Sequence, residues 1–174
     1  VNLIEISDNF LDDMWEYSKD ERLYEYFEFK CHKSKEETKK YLEKLLQRHS
    51  TPESFYWFIK DKLSSKVIGS IGINKIDSRK MSCEIGYALS PMYWGKGFFH
   101  DALSIVVKDL FLEKKFNRIQ AFTFITNHKS IKALKRIGFK AEGEIRDYYR
   151  MSNLNYVNAQ LLSILNKDYV NIAN

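Results

Sequence analysis

The sequence predicts a mixed α/β (α+β) fold in a single domain over residues 1–174. An apolar segment that stops at Pro91 is followed by two glycines and a helical pattern, and a β-branched and aromatic run from Arg118 to Ile125 separates that helix from another. A chain of 174 residues that is 44% hydrophobic has enough apolar material for one ordinary core. The predicted order of elements is βααβββαβαβ.

The first half of the chain predicts an edge strand, two helices and a hairpin. Leu3 to Ser7 alternates in polarity as an edge strand does, and Ser34-Lys-Glu-Glu37 is a capping box that begins a helix ending at about His49. The other predicted elements are a helix over Phe10 to Phe27 and a hairpin of Ser54 to Lys60 with Val67 to Ile76.

A strand, a glycine loop and a helix follow one another in the middle of the chain. The strand contains Glu84-Ile-Gly-Tyr-Ala-Leu, and one residue separates Gly95 from Gly97 in the loop. The helix carries one apolar face at spacings of three and four, formed by Ala102, Leu103, Val106, Val107, Leu110 and Phe111. Because glycines let the main chain approach a ligand closely and a helix N-terminus favours an anion, the loop is either a phosphate cradle or an ordinary tight turn.

Two common nucleotide motifs do not fit this loop. A Walker loop needs Ser or Thr after Gly-Lys, whereas Lys96 is followed by Gly97. A dinucleotide fingerprint needs a third glycine where this chain has His100. The phosphate ligand is therefore of another kind.

The strand from Arg118 to Ile125 precedes a short helix that starts near Asn127 and stops at Gly138. A last strand is predicted over Ala159 to Leu165. The apolar stripe of the short helix consists of Ile131, Leu134 and Ile137.

In this order and spacing, four motifs resemble the GNAT acetyltransferase superfamily, and most of all its Rim-type branch, which acetylates N-terminal amines of ribosomal proteins. They cover about residues 67 to 170. The motifs are Glu84-Ile-Gly-Tyr, Tyr93-Trp-Gly-Lys-Gly97, Asn127-x-x-Ser130 with Gly138-Phe139 downstream, and Glu142-Gly143-x-x-Arg146-Asp147-Tyr148.

The resemblance implies acetyl-coenzyme A as donor and a primary amine as acceptor. It implies a central, mostly antiparallel sheet flanked by helices, in which the strand ending near Leu89 parts from its parallel neighbour and the opening holds the pantetheine arm. Residues 67–170 would form the cofactor-binding core, and residues 1–60 the acceptor side. The implied cofactor-binding residues are Ala88, Leu89, Gly95, Lys96, Gly97, Phe98, Phe99, Asn127 and Ser130.

The chain also departs from the superfamily pattern. Met92 stands where Gln or Arg is usual, a change that main-chain phosphate contacts should tolerate. Leu134 occupies the position of the tyrosine that many members use as general acid, so the tyrosine mechanism does not carry over. Asn158 replaces an Asp of the Rim-type pattern.

The chemistry requires a proton acceptor for the amine and a proton donor for the leaving thiolate. Glu84 is the candidate base, directly or through a water, although it would equally fit an exposed strand carboxylate at a sheet edge. Ser130 is the favoured acid under the resemblance, with Tyr148 or Tyr149 as further candidates; a helix-capping role for Ser130 competes with this. A main-chain N–H near Leu89 would polarise the thioester oxygen.

Acceptor choice is expected in the first half, where Tyr24-Glu-Tyr-Phe-Glu-Phe29 is dense in aromatic and acidic residues. Glu25 or Glu28 would attract an ammonium group, with Tyr24 and Tyr148 as further substrate-binding candidates, whereas most aromatics in such a run belong to a core. The acceptor is a protein N-terminus, a small amine such as a polyamine or aminoglycoside, or an amino sugar linked to a nucleotide, for which Lys30, Lys33 and Lys35 would supply a clamp.

Composition narrows the partners. The net charge of +5 is spread along the chain, which argues against a nucleic-acid partner, and the lysines near Lys129 and Lys96 would instead face the nucleotide phosphates of coenzyme A. No run of eighteen apolar residues predicts a membrane span, and the start does not resemble a signal peptide, so we expect a cytoplasmic protein. Cys31, Cys83 and the four histidines show no metal-ligand spacing, and we expect no metal. Monomer and homodimer remain open.

A function of another class also fits the pattern. Because Leu134 replaces the tyrosine, the chain would alternatively be a non-catalytic coenzyme A binding module that regulates a partner. Glu84, Asn127 and Ser130 argue against that interpretation, since the Rim-type chemistry would use them.

Overall fold

The fold is described from a computed structural model, which covers residues 1–49 and 55–173. The chain divides into two compact units that interleave in sequence: Val1–Ile73 with Tyr87–Ala102, and Asn74–Gly86 with Leu103–Asn174. The strands are β1 (Asn2–Glu5), β2 (Tyr56–Lys60), β3 (Val67–Asp77), β4 (Ser82–Leu89), β5 (Arg118–Phe124), β6 (Lys140–Arg150) and β7 (Tyr156–Leu165). The α-helices are α1 (Leu11–Ser18), α2 (Lys35–His49), α3 (Phe98–Leu112), α4 (His128–Ile137) and α5 (Asn166–Ala173).

In the first unit, β1, β2 and β3 form successive antiparallel pairs. The predicted hairpin is thus present as β2 and β3, while Ser54, its predicted start, lies outside the described residues. The two helices α1 and α2 pack on each other, and their apolar faces join β2 in one buried cluster that includes Met14, Leu42 and Phe58. Such burial of large side chains is the main stabilising term for this unit.

In the second unit, β4 pairs in parallel with β5, and β5, β7 and β6 follow as antiparallel neighbours. Ile119 on β5 faces Ile164 on β7 in this register, and both side chains are fully buried. The predicted face of α3 is buried throughout, because its six apolar positions are each 0 or 1% exposed.

Strands β3 and β4 each contribute residues to both units. Among the described residues, the hydrogen-bonded order of the strands is β1-β2-β3-β4-β5-β7-β6. The fold class is confirmed: a mostly antiparallel sheet with one parallel pair, and helices. The capping box is also present, since the Glu37 N–H donates to Ser34 Oγ over 3.2 Å. The Glu37 carboxylate accepts the N–H of Lys33 instead of that of Ser34, one residue earlier than the motif predicts.

The predicted element order lacked two elements, and two predicted bounds were wrong. Strand β6 and helix α5 were not predicted, and β7 starts at Tyr156 instead of Ala159. Every residue of β6 except Tyr149 is exposed, so its sequence lacks the alternation by which a strand is recognised. The helix predicted over Phe10 to Phe27 ends at Ser18, because the Asp20 carboxylate caps a separate 3₁₀ turn by accepting the N–H of Arg22.

Both cysteines, Cys31 and Cys83, are buried and free. Across residues 1–49 and 55–173, no helix combines the length and apolar character needed to cross a membrane.

A polar network joins β5, β6 and β7 in the second unit. The Arg118 guanidinium binds both carboxylate oxygens of Glu142, with Nη1 at 2.8 Å from Oε1, and the Ser163 hydroxyl donates to the same carboxylate. These hydrogen bonds, that from Arg118 foremost, lower the pKa of Glu142 to about 2. Because the pKa is lower in the folded chain than in the unfolded chain, this network stabilises the fold at neutral pH.

We predict that Glu142→Gln lowers the free energy of unfolding at pH 7 by about 1 kcal/mol, a small figure because the side chain is partly exposed. The stabilisation is fully present above the ordinary pKa of a glutamate and is lost as pH falls towards 2, so the difference from the wild type should shrink in that window. Thermal midpoints measured from pH 7 to pH 2.5 check this. Glu113→Gln, at an exposed position after α3, is the control, and a Glu142→Gln deficit that persists at pH 2.5 would contradict the assignment.

Candidate active site

Glu84 lies at the last paired position of the parallel ladder. The register of β4 with β5 runs from Ser82 opposite Arg118 to Glu84 opposite Gln120, while β5 continues to Phe124. The Glu84 side chain is half-buried, and this burial is the largest influence on its pKa, which is raised. The charge of Lys75 and a hydrogen bond from the Asn74 side chain act in the opposite direction. Glu84 is therefore not the fully exposed strand carboxylate of the alternative interpretation.

The side chain of Asn74 occupies space that Gly86 leaves open. A Cβ on Gly86 would lie 2.4 Å from Asn74 Nδ2 and 2.9 Å from Oδ1, closer than such atoms approach. Glu84 and Gly86 are on the same face of β4 because side chains alternate along a strand. The missing side chain at 86 thus lets the Asn74 amide lie beside Glu84.

The glycine loop in the first unit is held by the indole of Trp94. Trp94 Nε1 donates to the carbonyl oxygen of Leu89 over 2.7 Å, which ties the end of β4 to the residue before the first glycine. Gly95 has φ +73° and Gly97 has φ +87°, a region that side chains with a Cβ rarely adopt. Around both positions, the space that a Cβ would occupy has no protein atom within 4 Å. The loop is therefore open where a phosphate cradle has to be open.

Helix α3 begins directly after this loop, and its first-turn amides lie at the glycines. The Asp101 N–H donates to the Gly97 carbonyl over 3.1 Å and so closes the first turn. Lys96 lies with Nζ 5.7 Å from the centre of the Tyr93 ring, and Phe99 packs on Tyr87 with ring centres 4.4 Å apart. A helix N-terminus, an exposed lysine and two open glycines are a chemically suitable set for a pyrophosphate.

Asn127, not Ser130, caps helix α4. The Asn127 Oδ1 accepts the main-chain N–H of Ser130 over 3.1 Å, so the helix-capping contact uses no atom of the Ser130 hydroxyl. The competing explanation for Ser130, that its side chain is the cap, is wrong. Leu134, one turn further along, is 0% exposed and belongs to the core of the second unit.

Tyr148 projects from a bulge in β6. The register shifts between Ile145 and Tyr149, and Asp147 takes φ +51° within that stretch. Asn158 on β7 holds the bulge, since its Oδ1 accepts the Asp147 N–H over 2.9 Å and its Nδ2 donates to a carboxylate of β6. Tyr148 stacks on Phe122 of β5 with ring centres 4.5 Å apart and remains 40% exposed. The Tyr148 side chain is thus partly exposed beside β5.

The aromatic and acidic segment Tyr24 to Phe29 lies partly in a core and partly at the surface. Tyr24 packs on the cluster of buried residues that also supports Ala88 and Trp94, and burial raises the pKa of its hydroxyl to about 12. Glu25 and Glu28 are exposed. Partial burial raises the pKa of Glu28. The same hydrophobic cluster thus contacts Tyr24, a predicted acceptor residue, Ala88 at the end of β4 and Trp94 in the glycine loop.

The predicted site residues are divided between the two units. The first unit contains Ala88, Leu89, Gly95 to Phe99 and the acceptor segment, and the second contains Glu84, Asn127, Ser130 and Tyr148. Asn74 and Trp94 were not predicted as site residues. Gly86 carried the missing signal for Asn74, because a glycine inside a strand marks a close approach by another group. In the part of the chain that is described, no three His, Cys, Asp or Glu side chains form a group able to hold a metal ion.

Comparison with known proteins gives a consistent picture at the level of domains. A family model described as an acetyltransferase (GNAT) domain matches residues 1–140. An uncharacterized N-acetyltransferase, p20, of Bacillus licheniformis is 35% identical over 108 residues, 62% of this chain and 60% of that protein. The [ribosomal protein uS5]-alanine N-acetyltransferase of Escherichia coli (strain K12) is 28% identical over 101 residues, 58% of this chain and 52% of that protein. The matched stretches therefore span little more than half the length of these relatives.

Solved structures extend the similarity to nearly the whole chain. The ribosomal-protein-S5-alanine acetyltransferase from Vibrio fischeri superposes with a TM-score of 0.80 at 27% identity, covering 97% of this chain and 93% of that one. The spermidine N-acetyltransferase from Vibrio cholerae, solved with CoA and spermine, gives a TM-score of 0.81 at 19% identity, with 97% of each chain covered. At that identity the second likeness concerns the fold alone.

We predict that Asn127→Ala lowers the free energy of unfolding by about 1 kcal/mol, because α4 loses its N-cap, whereas Asn127→Asp retains most of that stability. Ser130→Ala leaves the main-chain N–H in place, so it should retain the cap and cost less than Asn127→Ala. Urea unfolding of the three variants checks this. If Ser130→Ala costs as much as Asn127→Ala, the hydroxyl has a structural role after all.

Proposed function

The chain belongs to the GNAT acetyltransferase family, and on that premise we propose that it transfers the acetyl group of acetyl-coenzyme A to a primary amine, with the N-terminal amine of a protein or peptide as acceptor. The observation that carries the proposal is the position of Glu84. This half-buried carboxylate, whose pKa is raised, is the last residue of β4 that pairs with β5.

The residues of the glycine loop fit the phosphates of coenzyme A. The open space at Gly95 and Gly97 and the first-turn amides of α3 favour a pyrophosphate, and Lys96 adds a positive charge. Bound there, acetyl-coenzyme A supplies a thioester whose carbonyl carbon accepts an amine. The main-chain edge of β4 beyond Glu84, at Ala88 and Leu89, would hydrogen-bond the pantetheine arm.

Glu84 is the proposed general base. An amine attacks only when neutral, so the ammonium form of the acceptor must first lose a proton. Burial favours the neutral form of the Glu84 carboxyl and so brings its affinity for a proton nearer to that of the amine. In the proposed reaction, the Glu84 carboxylate takes this proton directly or through a water.

Ser130 is the proposed proton donor to the leaving thiolate. Asn127 caps α4 by accepting the Ser130 main-chain N–H, so the side chain of Ser130 is not the cap. Leu134 is part of the core, and the tyrosine that many family members have there is replaced by a packing residue. Tyr148 and Tyr149 remain the alternative donors, and the main-chain N–H near Leu89 would stabilise the thioester oxygen.

The ion pairs of the first unit favour a peptide amine over the other acceptors. Two acidic side chains near the acceptor segment are already paired: Glu16 with Lys19 and Asp20 with Arg22. They therefore present less negative potential to a polyamine. Lys33 pairs with Glu21 and Lys35 with Asp12, so two of the three lysines considered for a nucleotide clamp are occupied. The names of the relatives from Escherichia coli and Vibrio fischeri point to the same acceptor class.

We expect a labelled acetyl group to appear on the N-terminal amine of at least one peptide. The protein would be incubated with isotopically labelled acetyl-coenzyme A and a panel of peptides with different N-termini, polyamines, aminoglycosides and nucleotide-linked amino sugars, followed by mass spectrometry. Label on a polyamine or an amino sugar alone would overturn the peptide acceptor but retain the transferase. Tight binding of coenzyme A with no labelled product from any amine would instead support a non-catalytic module.

We further expect Glu84→Gln to lower kcat by about 10² to 10⁴, the range for loss of a general base. Since a base works only when ionised, kcat of the wild type should fall as pH drops through the raised pKa of Glu84, and this fall should vanish in Glu84→Gln.

Stability provides the control for this variant. A carboxyl with a raised pKa is destabilising when ionised, so Glu84→Gln should unfold at no lower temperature than the wild type at pH 7. Full turnover by Glu84→Gln on the peptide acceptor would show that another group is the base.

A further inference from the structure

We propose that Asn74 is a positioning residue that fixes the orientation of the Glu84 carboxylate, and that Gly86 lacks a side chain in order to admit the Asn74 amide. This inference deepens the proposed function and rests on the assignment of Glu84 as base. Asn74 need not touch either substrate, because it acts through the carboxylate.

The geometry of two neighbouring strands carries the proposal. Asn74 is on β3, and Glu84 and Gly86 are on the same face of β4, two positions and therefore about 7 Å apart along the strand. The Asn74 amide lies over Gly86, where Nδ2 would be 2.4 Å from a Cβ, and hydrogen-bonds the Glu84 side chain. The amide nitrogen is the donor in this contact, since an ionised carboxylate only accepts.

A hydrogen bond of this kind limits the freedom of the acceptor carboxylate. In the proposed arrangement, one carboxylate oxygen accepts from Asn74 and the other is left for the amine or a bridging water. A displacement of about 1 Å at a catalytic group can cost on the order of 10² in rate. The amide therefore contributes orientation, which charge alone does not supply.

Other polar groups around Glu84 act differently. Lys75 lowers the pKa of Glu84 through its charge, ahead of the Asn74 hydrogen bond. Gln120 stands opposite Glu84 in the ladder, and its Oε1 accepts from Arg118 Nε over 3.1 Å. The Arg118 guanidinium is engaged by Glu142, as described above. Lys75 is thus the natural comparison, because it changes the charge near Glu84 without holding the carboxylate.

Two variants remove the amide contact in different ways. Asn74→Leu keeps a similar volume but has no donor. Gly86→Ala retains Asn74 and places a Cβ where its amide lies, and because the amide is the end of a side chain it moves without disturbing the strand. Lys75→Gln is the control that removes charge alone. Each change would be made in the wild type and in the Glu84→Gln background.

The first measurement is the titration of the Glu84 carboxyl by carbon-13 NMR in the absence of substrates. Asn74→Leu and Gly86→Ala should both raise the pKa of Glu84, because each removes a hydrogen bond to the ionised form. Lys75→Gln should raise it as well. This readout does not depend on turnover, so it tests the contact even if the acceptor proves to be of another class.

The second measurement separates orientation from charge. At a pH where Glu84 is ionised in every variant, Asn74→Leu and Gly86→Ala should lower kcat about tenfold or more with little change in KM, whereas Lys75→Gln should retain kcat. In the Glu84→Gln background the first two changes should cost nothing further, because they act through the carboxylate.

Two results would overturn the inference while leaving the proposed function intact: an unchanged Glu84 titration in both amide variants, or an equal loss of kcat with and without the Glu84 carboxylate. Full activity of Glu84→Gln would remove the base assignment itself and this inference with it.

Discussion

The parallel ladder between β4 and β5 ends at Glu84, and the candidate chemistry depends on that ending. A parallel pair that continued along both strands would satisfy the main chain of β4 as far as Leu89, and the strand would have no edge to offer a ligand. The register ends opposite Gln120, and the carboxylate at its last position is half-buried. Burial then raises the pKa of Glu84, while Lys75 and Asn74 keep the ionised form accessible. The proposed base thus lies at the end of the ladder, and its burial, Lys75 and Asn74 set its proton affinity.

Glycines contribute to this site in two opposite ways. The space beside Gly86 is occupied by the Asn74 amide, which lies where a side chain of residue 86 would be. Gly95 and Gly97 are surrounded by open space, and their positive φ turns the main chain in a direction that other residues rarely take. The first kind of glycine makes room for a protein group, and the second makes room for a ligand. The sequence alone does not distinguish these two kinds of glycine, because in both cases it shows only a residue without a Cβ.

Local signals allowed much of the fold and part of the site to be predicted. The periodic apolar face of α3, the strand β5 and the stop at Gly138 are encoded within short windows, and all three are present. Strand β6 was missed because it is exposed at every residue except Tyr149 and is fixed by its pairing with β7. Asn74 was missed because its partner is ten residues away across a hairpin, so only the pairing of strands brings the two together. Asn and Ser are both good N-cap residues, so residue type alone did not decide which of Asn127 and Ser130 caps α4. The side-chain geometry shows that Asn127 is the cap.

Glu84 also bears on the choice between an enzyme and a module that only binds coenzyme A. The proposed phosphate contacts use main-chain amides, open glycines and Lys96, and none of them needs a carboxylate on β4. An ionised carboxylate that is half-buried weakens the fold, since its raised pKa means that the folded chain binds the proton more tightly than the unfolded chain. A glutamine would keep a hydrogen bond with Asn74 and avoid this cost. Glu84 destabilises the fold, yet Asn74 and Gly86 support it. Such a residue is expected where a proton must be transferred, which favours catalysis over binding alone.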